Sequence, residues 1–203
     1  ASDGVATHQA TSRVLAPTGG FMPGTGTFTF DISTRLRPAR PWVNVLANSQ
    51  FGTQVSESGA GPSWALNSRL NQLTAWSNDP VADPPSEWLL LQDRRTREVW
   101  SLAPSAWGAA EVVYRVEHAQ GTTTIGHRRG ALEVVVSWCV DPVTAVKQVH
   151  VRVHNRGARS AHLRLIGMVE WMLGEKRSDR ATLSTAPCLS ALPDRRFLGL
   201  LCT

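Results

Sequence analysis

Three successive segments alternate apolar and polar residues with a period of two. In ALEVVVSWCV (131–140), Leu132, Val134, Val136, Trp138 and Val140 share one face. In KQVHVRVH (147–154), Val149, Val151 and Val153 share one face, and Gln148, His150, Arg152 and His154 the other. In 161–173, Leu163, Leu165, Val169, Trp171 and Leu173 fall together. This period makes half-buried strands and excludes amphipathic helices. Turn chemistry separates the segments: VDPVT (140–144) with Pro142, and NRGARS (155–160) with Gly157, both read as hairpin connections. Upstream, EWLLLQD and REVWSLA flank a charged turn at Arg94–Thr96, and EVVYRVEH and TTTIGHRR pair across Gly121. TFTFDIS and WVNVLANS add earlier strands, and SAWGAAE (105–111) could make one short turn. A procession of about a dozen antiparallel strands predicts an all-β fold that closes as a sandwich or barrel.

At 42% hydrophobic residues over 203 positions, the chain can bury a substantial core. No apolar run approaches the ~20 residues of a membrane span. Residues 1–24, small and polar at the start, read as a flexible leader, with the sandwich occupying 25–203. Cys139, Cys188 and Cys202 are too few for a disulfide framework and form no CxxC pair, so a reduced, cytoplasmic setting is expected. The formal charge of +5 comes mostly from arginines scattered singly or in pairs. A nucleic-acid site would need a clustered basic stripe interleaved with aromatics, so no nucleic-acid partner is expected.

The alternation stops over 58–86, SGAGPSWALNSRLNQLTAWSNDPVADPPS. Pro80, Pro84 and Pro85 bar both a helix and a central strand at its end. Long loops in compact domains are usually functional or disordered. Apolar anchors at Trp64, Leu66, Leu70, Leu73 and Trp76 favour an ordered polar projection from one rim of the sheets.

The chemistry such a chain can hold is narrow. No GxSxG motif and no activated cysteine is visible. His150 and His154 lie ~13 Å apart along a strand, too far to chelate one zinc ion. His118 and His127 could face each other across a hairpin, with no third ligand evident. No metal or cofactor is therefore expected. Asp79 and Asp83 sit in turn-capping contexts beside prolines, and Glu57 borders glycines and serines that suit either a ligand or its own turn. The tryptophans say more. Trp138 and Trp171 belong on core-facing strand positions, whereas Trp64 and Trp76 lie in the tract beside Asn67, Asn71, Asn78 and Asp79. An indole can stack on the C–H face of a sugar while amides and carboxylates take its hydroxyls. The same indoles could equally pin the tract to the sandwich.

At this point the sequence resembles a known family. The strings WVNVLAN, FGTQVSESGAG, SWALNSRLNQLTAWSNDPVADPP and LQDRRTREVWS, followed in order by YRVEHAQGTTTIGHRRGALEV and DPVTAVKQVHVRVHNRGARSAHLRLIGMVEWMLG, resemble the amino-terminal sandwich of glycoside hydrolase family 94, formerly glycosyltransferase family 36. The resemblance covers roughly residues 25–175, and KRSDRATLSTAPCLSALPDRRFLGLLCT (176–203) fits it poorly. WSNDPVADPP points more to the phosphorylase-like region of cyclic β-1,2-glucan synthases than to cellobiose phosphorylases. The resemblance implies a large antiparallel two-sheet super-sandwich of the galactose-mutarotase-like kind. It implies a catalytic (α/α)6 barrel elsewhere in the parent enzyme, with no catalytic residue in the sandwich and a chain that is inactive alone. It implies Glu57, Trp64, Asn67, Asn71, Trp76, Asn78 and Asp79 as sugar contacts, a β-glucan oligosaccharide and the barrel as partners, and an association of the parent with the inner membrane. Open sheet edges would invite a homodimer. Two rival expectations stand: a purely structural module packed on the barrel, and a mutarotase-like enzyme using His118, His127 or His150 with Glu170.

Overall fold

The computed structural model describes residues 17–33, 35–77, 79, 81–82, 84–105, 111–192 and 195–203, with backbone alone for 190–192 and 195–198. In chain order its strands are β1 (Gly20–Phe21), β2 (Phe28–Ile32), β3 (Asn44–Ala47), β4 (Phe51–Ser56), β5 (Gly59–Ala65) and β6 (Gln72–Thr74). Then come β7 (Glu87–Asp93), β8 (Val99–Ser101), β9 (Tyr114–Ala119), β10 (Thr122–Arg129), β11 (Leu132–Val140) and β12 (Lys147–Asn155). Last are β13 (Leu163–Val169), β14 (Trp171–Gly174), β15 (Thr185–Leu192) and β16 (Arg195–Cys202), with one short 3-10 helix at Arg177–Thr182. The described residues are all-β, and every strand pair is antiparallel.

One layer is a six-stranded sheet in the order β1-β2-β9-β10-β11-β12. The opposing layer is built from a five-stranded sheet, β14-β6-β5-β4-β3, and a three-stranded sheet, β13-β7-β8. Ser86 and Glu170 join these two. The Ser86 amide donates to the Ala60 carbonyl at 3.1 Å, the Glu170 amide to Ser86 at 2.9 Å, and the Ala75 amide to Glu170 at 3.1 Å. Between the layers lie Phe30, Ile32, Val116, Ile125, Val134, Val136 and Trp138 from the first, and Leu46, Val55, Leu91 and Trp100 from the second. The alternation in β10 and β11 therefore does what period two dictates: one face is buried against the second layer and the other meets solvent.

Polar clamps fix the layers against each other. Asn44 Nδ2 donates to the carbonyls of Ala119 (2.9 Å) and Thr122 (3.1 Å), on either side of the β9–β10 turn. Asn48 Nδ2 donates to the carbonyls of Asp141 (2.7 Å) and Thr144 (2.8 Å) at the β11–β12 turn. Both asparagines come from the WVNVLAN string. At the far side of the layer, Lys147 of β12 crosses to pair with Glu87 of β7 and donates to Ser63 Oγ of β5 at 2.8 Å.

Several expectations are corrected here. The tract 58–86 is not one long projection: β5 and β6 run inside it, and the 66–71 turn and the loop 75–86 lie outside them. Alternation failed to show these strands because their inward residues are hydroxylic. Ser63 Oγ donates to Thr53 Oγ1 at 3.0 Å and Ser86 Oγ to Thr74 Oγ1 at 3.0 Å, so buried polar groups satisfy each other where apolar ones were sought. A register shift between Thr53 and Val55 accommodates Pro62. NRGARS is not a hairpin turn. It carries the chain from β12 in one layer to β13 in the other. The set from Leu163 to Leu173 does not share a face, because the chain changes sheets at Glu170, and Trp171 is only half-buried. His118 and His127 do not face each other: the register opposes His118 to Thr123 and His127 to Tyr114. The short turn expected at 105–111 falls mostly on 106–110, outside the described residues, as do residues 1–16 of the leader. β1 lies within the leader's remainder and pairs with β2.

Candidate functional site

Both ends of the loop 75–86 are buried. Ala75 is held by Glu170 and Ser86 by Ala60, with Ser86 Oγ donating to the Gly61 carbonyl. Between these fixed ends the chain rises over the rim, where Val81 is almost fully exposed. The rise is shaped by Asp79. Its Oδ1 accepts the amides of Val81 and Ala82, each at 2.9 Å, and its own amide donates to Ser77 Oγ at 3.3 Å. Those two amides, Ala82 foremost, hold the Asp79 carboxyl below its ordinary range, so it stays ionised at neutral pH. Oδ1 is committed to the turn, and Oδ2 makes no hydrogen bond or ion pair among the described residues.

Under this loop lies a cleft of about 240 Å³, lined by Trp76, Ser77 and Asp79 of the loop together with Arg40, Val43 and Gln54. Trp76 is 45% exposed, an indole face presented to solvent. The cleft thus combines an apolar plate, an ionised acceptor, a guanidinium donor and a carboxamide that can do either. That set suits a polyhydroxylated ligand with one apolar face. Among the described residues that line it, Asp79 is the one carboxylate.

The structure divides the sequence-predicted residues. Trp76 and Asp79 line the cleft. Glu57 is buried on the β4–β5 turn, where its Oε2 accepts the Trp42 amide at 3.0 Å. Trp64 lies flat on the sheet: a β-carbon added at Gly52 would sit 2.3 Å from its ring. Asn67 caps the β5–β6 turn, its Oδ1 accepting the amides of Arg69 and Leu70, each at 2.9 Å. Asn71 closes the same turn, its amide donating to the Asn67 carbonyl at 3.1 Å. Asn78 lies outside the described residues, as does Asp83. Sequence reasoning missed Arg40 and Gln54, which reach the cleft from the connection before β3 and from β4; no local pattern marks them, since only the tertiary fold brings them under the loop.

The histidine and glutamate set required of a mutarotase-like enzyme does not converge. His118 is buried, with Nε2 on the Trp42 carbonyl (2.8 Å) and Nδ1 on Thr123 Oγ1 (3.1 Å). Burial and the neighbouring Arg129 lower His127 to a pKa of about 4. It accepts the Trp100 indole N–H at 3.2 Å. His150 is exposed on the outer sheet face, and Glu170 accepts from Arg177 and Arg180. Among the described residues, no three His, Cys, Asp or Glu side chains gather as metal ligands.

A family described as "Glycosyl hydrolase 94, supersandwich domain" matches residues 27–188. The chain belongs to that family. A relative, the cyclic beta-(1,2)-glucan synthase NdvB of Rhizobium meliloti (strain 1021), is 33% identical over 142 residues, 70% of this chain. The match spans 5% of that much longer protein. For a supersandwich domain the layered, wholly antiparallel build is what the family name describes, and the match continues past residue 175 into β15. Among the described residues, no helix is long and apolar enough to cross a membrane.

Proposed function

We propose that this supersandwich domain is a non-catalytic carbohydrate-binding and docking module of an enzyme that makes or breaks β-linked glucans, and that its rim cleft receives the glucan. The observation that carries this reading is the half-exposed Trp76 ring set beside ionised Asp79, with Arg40 and Gln54 lining the same cleft. The relative's name points to a β-1,2-linked glucan as the ligand to try first. The second partner on this reading is the catalytic barrel of the same enzyme, which would supply the chemistry that the cleft lacks. A purely structural module is the competing reading, favoured by the buried Glu57 and by Trp64 and Asn67, whose contacts stabilise the tract itself.

The test is a titration of the chain with β-1,2-gluco-oligosaccharides, followed by tryptophan fluorescence. Saturable quenching in the millimolar range is expected, weakened about tenfold by Trp76→Ala, since losing a contact worth about 1.4 kcal/mol is a tenfold change in affinity. An unchanged spectrum at millimolar sugar, with the fold intact by circular dichroism, leaves the structural module as the answer.

A further inference from the structure

β7 ends, at Asp93, in a second concavity that shares no lining residue with the rim cleft. This trough, of about 470 Å³, is formed where three connections meet: the β7–β8 turn, the β10–β11 turn and the 156–162 arch between the layers. Backbone bonds stitch them together. The Arg94 amide donates to the His162 carbonyl at 2.8 Å, and the Arg156 amide to the Ala131 carbonyl at 2.9 Å. Asn155 stiffens the arch, donating from Nδ2 to the Arg159 carbonyl at 2.7 Å and accepting the Gly157 amide at 2.9 Å. The walls are therefore one preformed unit rather than three independent loops.

Each connection delivers a guanidinium: Arg95, Arg129 and Arg159 all line the trough, with His162 beside them. The two acids there are already engaged. Asp93 Oδ1 accepts the amides of Arg95 (2.8 Å) and Thr96 (3.1 Å), and Glu98 pairs with Nη2 of Arg129. Neither Arg95 nor Arg159 makes an ion pair among the described residues. Arg129 is held in place by Trp100, with its guanidinium carbon 4.5 Å from the indole centroid. Its Nη1 is buried and has no acceptor among the described residues. A buried, unpaired donor of a charged group costs free energy that a bound acceptor would recover. Planar guanidinium forks match the paired oxygens of a tetrahedral oxyanion.

We propose that this trough is a binding site for a phosphate-type oxyanion, either free phosphate or a phosphoryl group carried on a sugar. The site is separate from the sugar cleft and does not depend on it.

The experiment follows arginine Nε–H signals of the labelled 203-residue chain by NMR at constant ionic strength. The probes are inorganic phosphate, glucose 6-phosphate and glucose. Saturable shifts of the Arg129 and Arg159 signals are expected with phosphate or glucose 6-phosphate, and none with glucose. A response to both anions assigns the free ion; a response to glucose 6-phosphate alone assigns a sugar-borne phosphoryl group. Arg159→Gln should weaken binding about tenfold, the scale of one charge-assisted hydrogen bond. Glu98→Gln should strengthen it severalfold, since its carboxylate competes for Arg129, and a gain of binding cannot come from a damaged fold. The proposal is overturned if no signal shifts saturably, or if the shifts are indifferent to both substitutions.

Discussion

Trp64 and Trp76 stand twelve positions apart in the same unpatterned tract, and the structure gives them opposite work. Trp64 sits on β5 opposite Gly52 of β4, its indole lying where any other residue's β-carbon would be. Trp76 sits at the start of a loop whose ends are buried but whose span is not, and nearly half of it is open to solvent. The difference lies beneath each ring. A glycine in the facing strand makes a seat for an aromatic side chain, whereas a loop carried over a rim leaves its aromatic facing outward. Residue type in such a tract says that something large must be accommodated; the partner strand decides whether that is packing or recognition.

The packed side of the comparison is most exposed to attack through Lys147. Its ammonium pairs with Glu87 and donates to Ser63, the neighbour of Trp64, and both charged side chains are 12% exposed. Lys147→Met leaves Glu87 nearly buried without its partner and is expected to cost about 3 kcal/mol in urea unfolding. Adding Glu87→Gln should recover part of that loss, because a neutral amide tolerates burial better than an unpaired carboxylate. Recovery of nothing by the double variant would show that the loss does not come from a stranded Glu87 carboxylate.

Trp64→Ala comes next in size, at about 2–3 kcal/mol, below the roughly 3–5 kcal/mol of a fully buried aromatic, since its ring is only partly buried. Trp76→Ala is expected to stay within about 0.5 kcal/mol, as surface substitutions do. Ligand titration should rank the two in reverse: binding per folded molecule survives at Trp64 and is lost at Trp76. Equal stability losses would erase the distinction between seat and plate.

How much of this could be read beforehand follows from the same physics. The all-β class and the β9–β10 and β11–β12 pairings were legible because apolar and polar residues alternate there, with turn residues between. β5 and β6 were not, because Ser63, Thr74 and Ser86 bury hydroxyls that read as surface. The arch at 155–160 looked like a hairpin because turn chemistry reports a change of direction and not which sheet the chain enters next. In the cleft, Trp76 and Asp79 were legible as an indole and a capping acid in a proline-rich loop. Arg40 and Gln54 were not, since they arrive from a connection and a strand remote in sequence. Glu57 stood open between a ligand and its own turn, and the turn folds inward, placing the carboxylate on the Trp42 amide.

The two turns of the tract allow a finer comparison. Asn67 and Asp79 are both exposed caps that accept two backbone amides through Oδ1. Asn67→Ala should cost about 1 kcal/mol, the usual size of a lost side-chain cap, and leave sugar titration unchanged. The same change at Asp79 should relax the loop and weaken the sugar response, because Asp79 both shapes the wall and belongs to it.

Acid separates these caps without mutation. Asn67 does not titrate, whereas Asp79 is held below its ordinary 3.8 by the Ala82 and Val81 amides. A carboxyl with a depressed folded pKa contributes stability that is complete above the unfolded value and is lost as pH falls through the folded one. The loop should therefore keep its form from neutral pH down to about that unfolded value and loosen only below it. The Asp79 carboxyl carbon and the Val81 and Ala82 amide protons should titrate together in NMR with a midpoint under 3.8, while the Arg69 and Leu70 amides at the Asn67 cap stay still. A midpoint at or above 3.8, or amides that ignore it, would mean that Asp79 does not hold the wall of the cleft, and the case for Trp76 would then rest on its exposure alone.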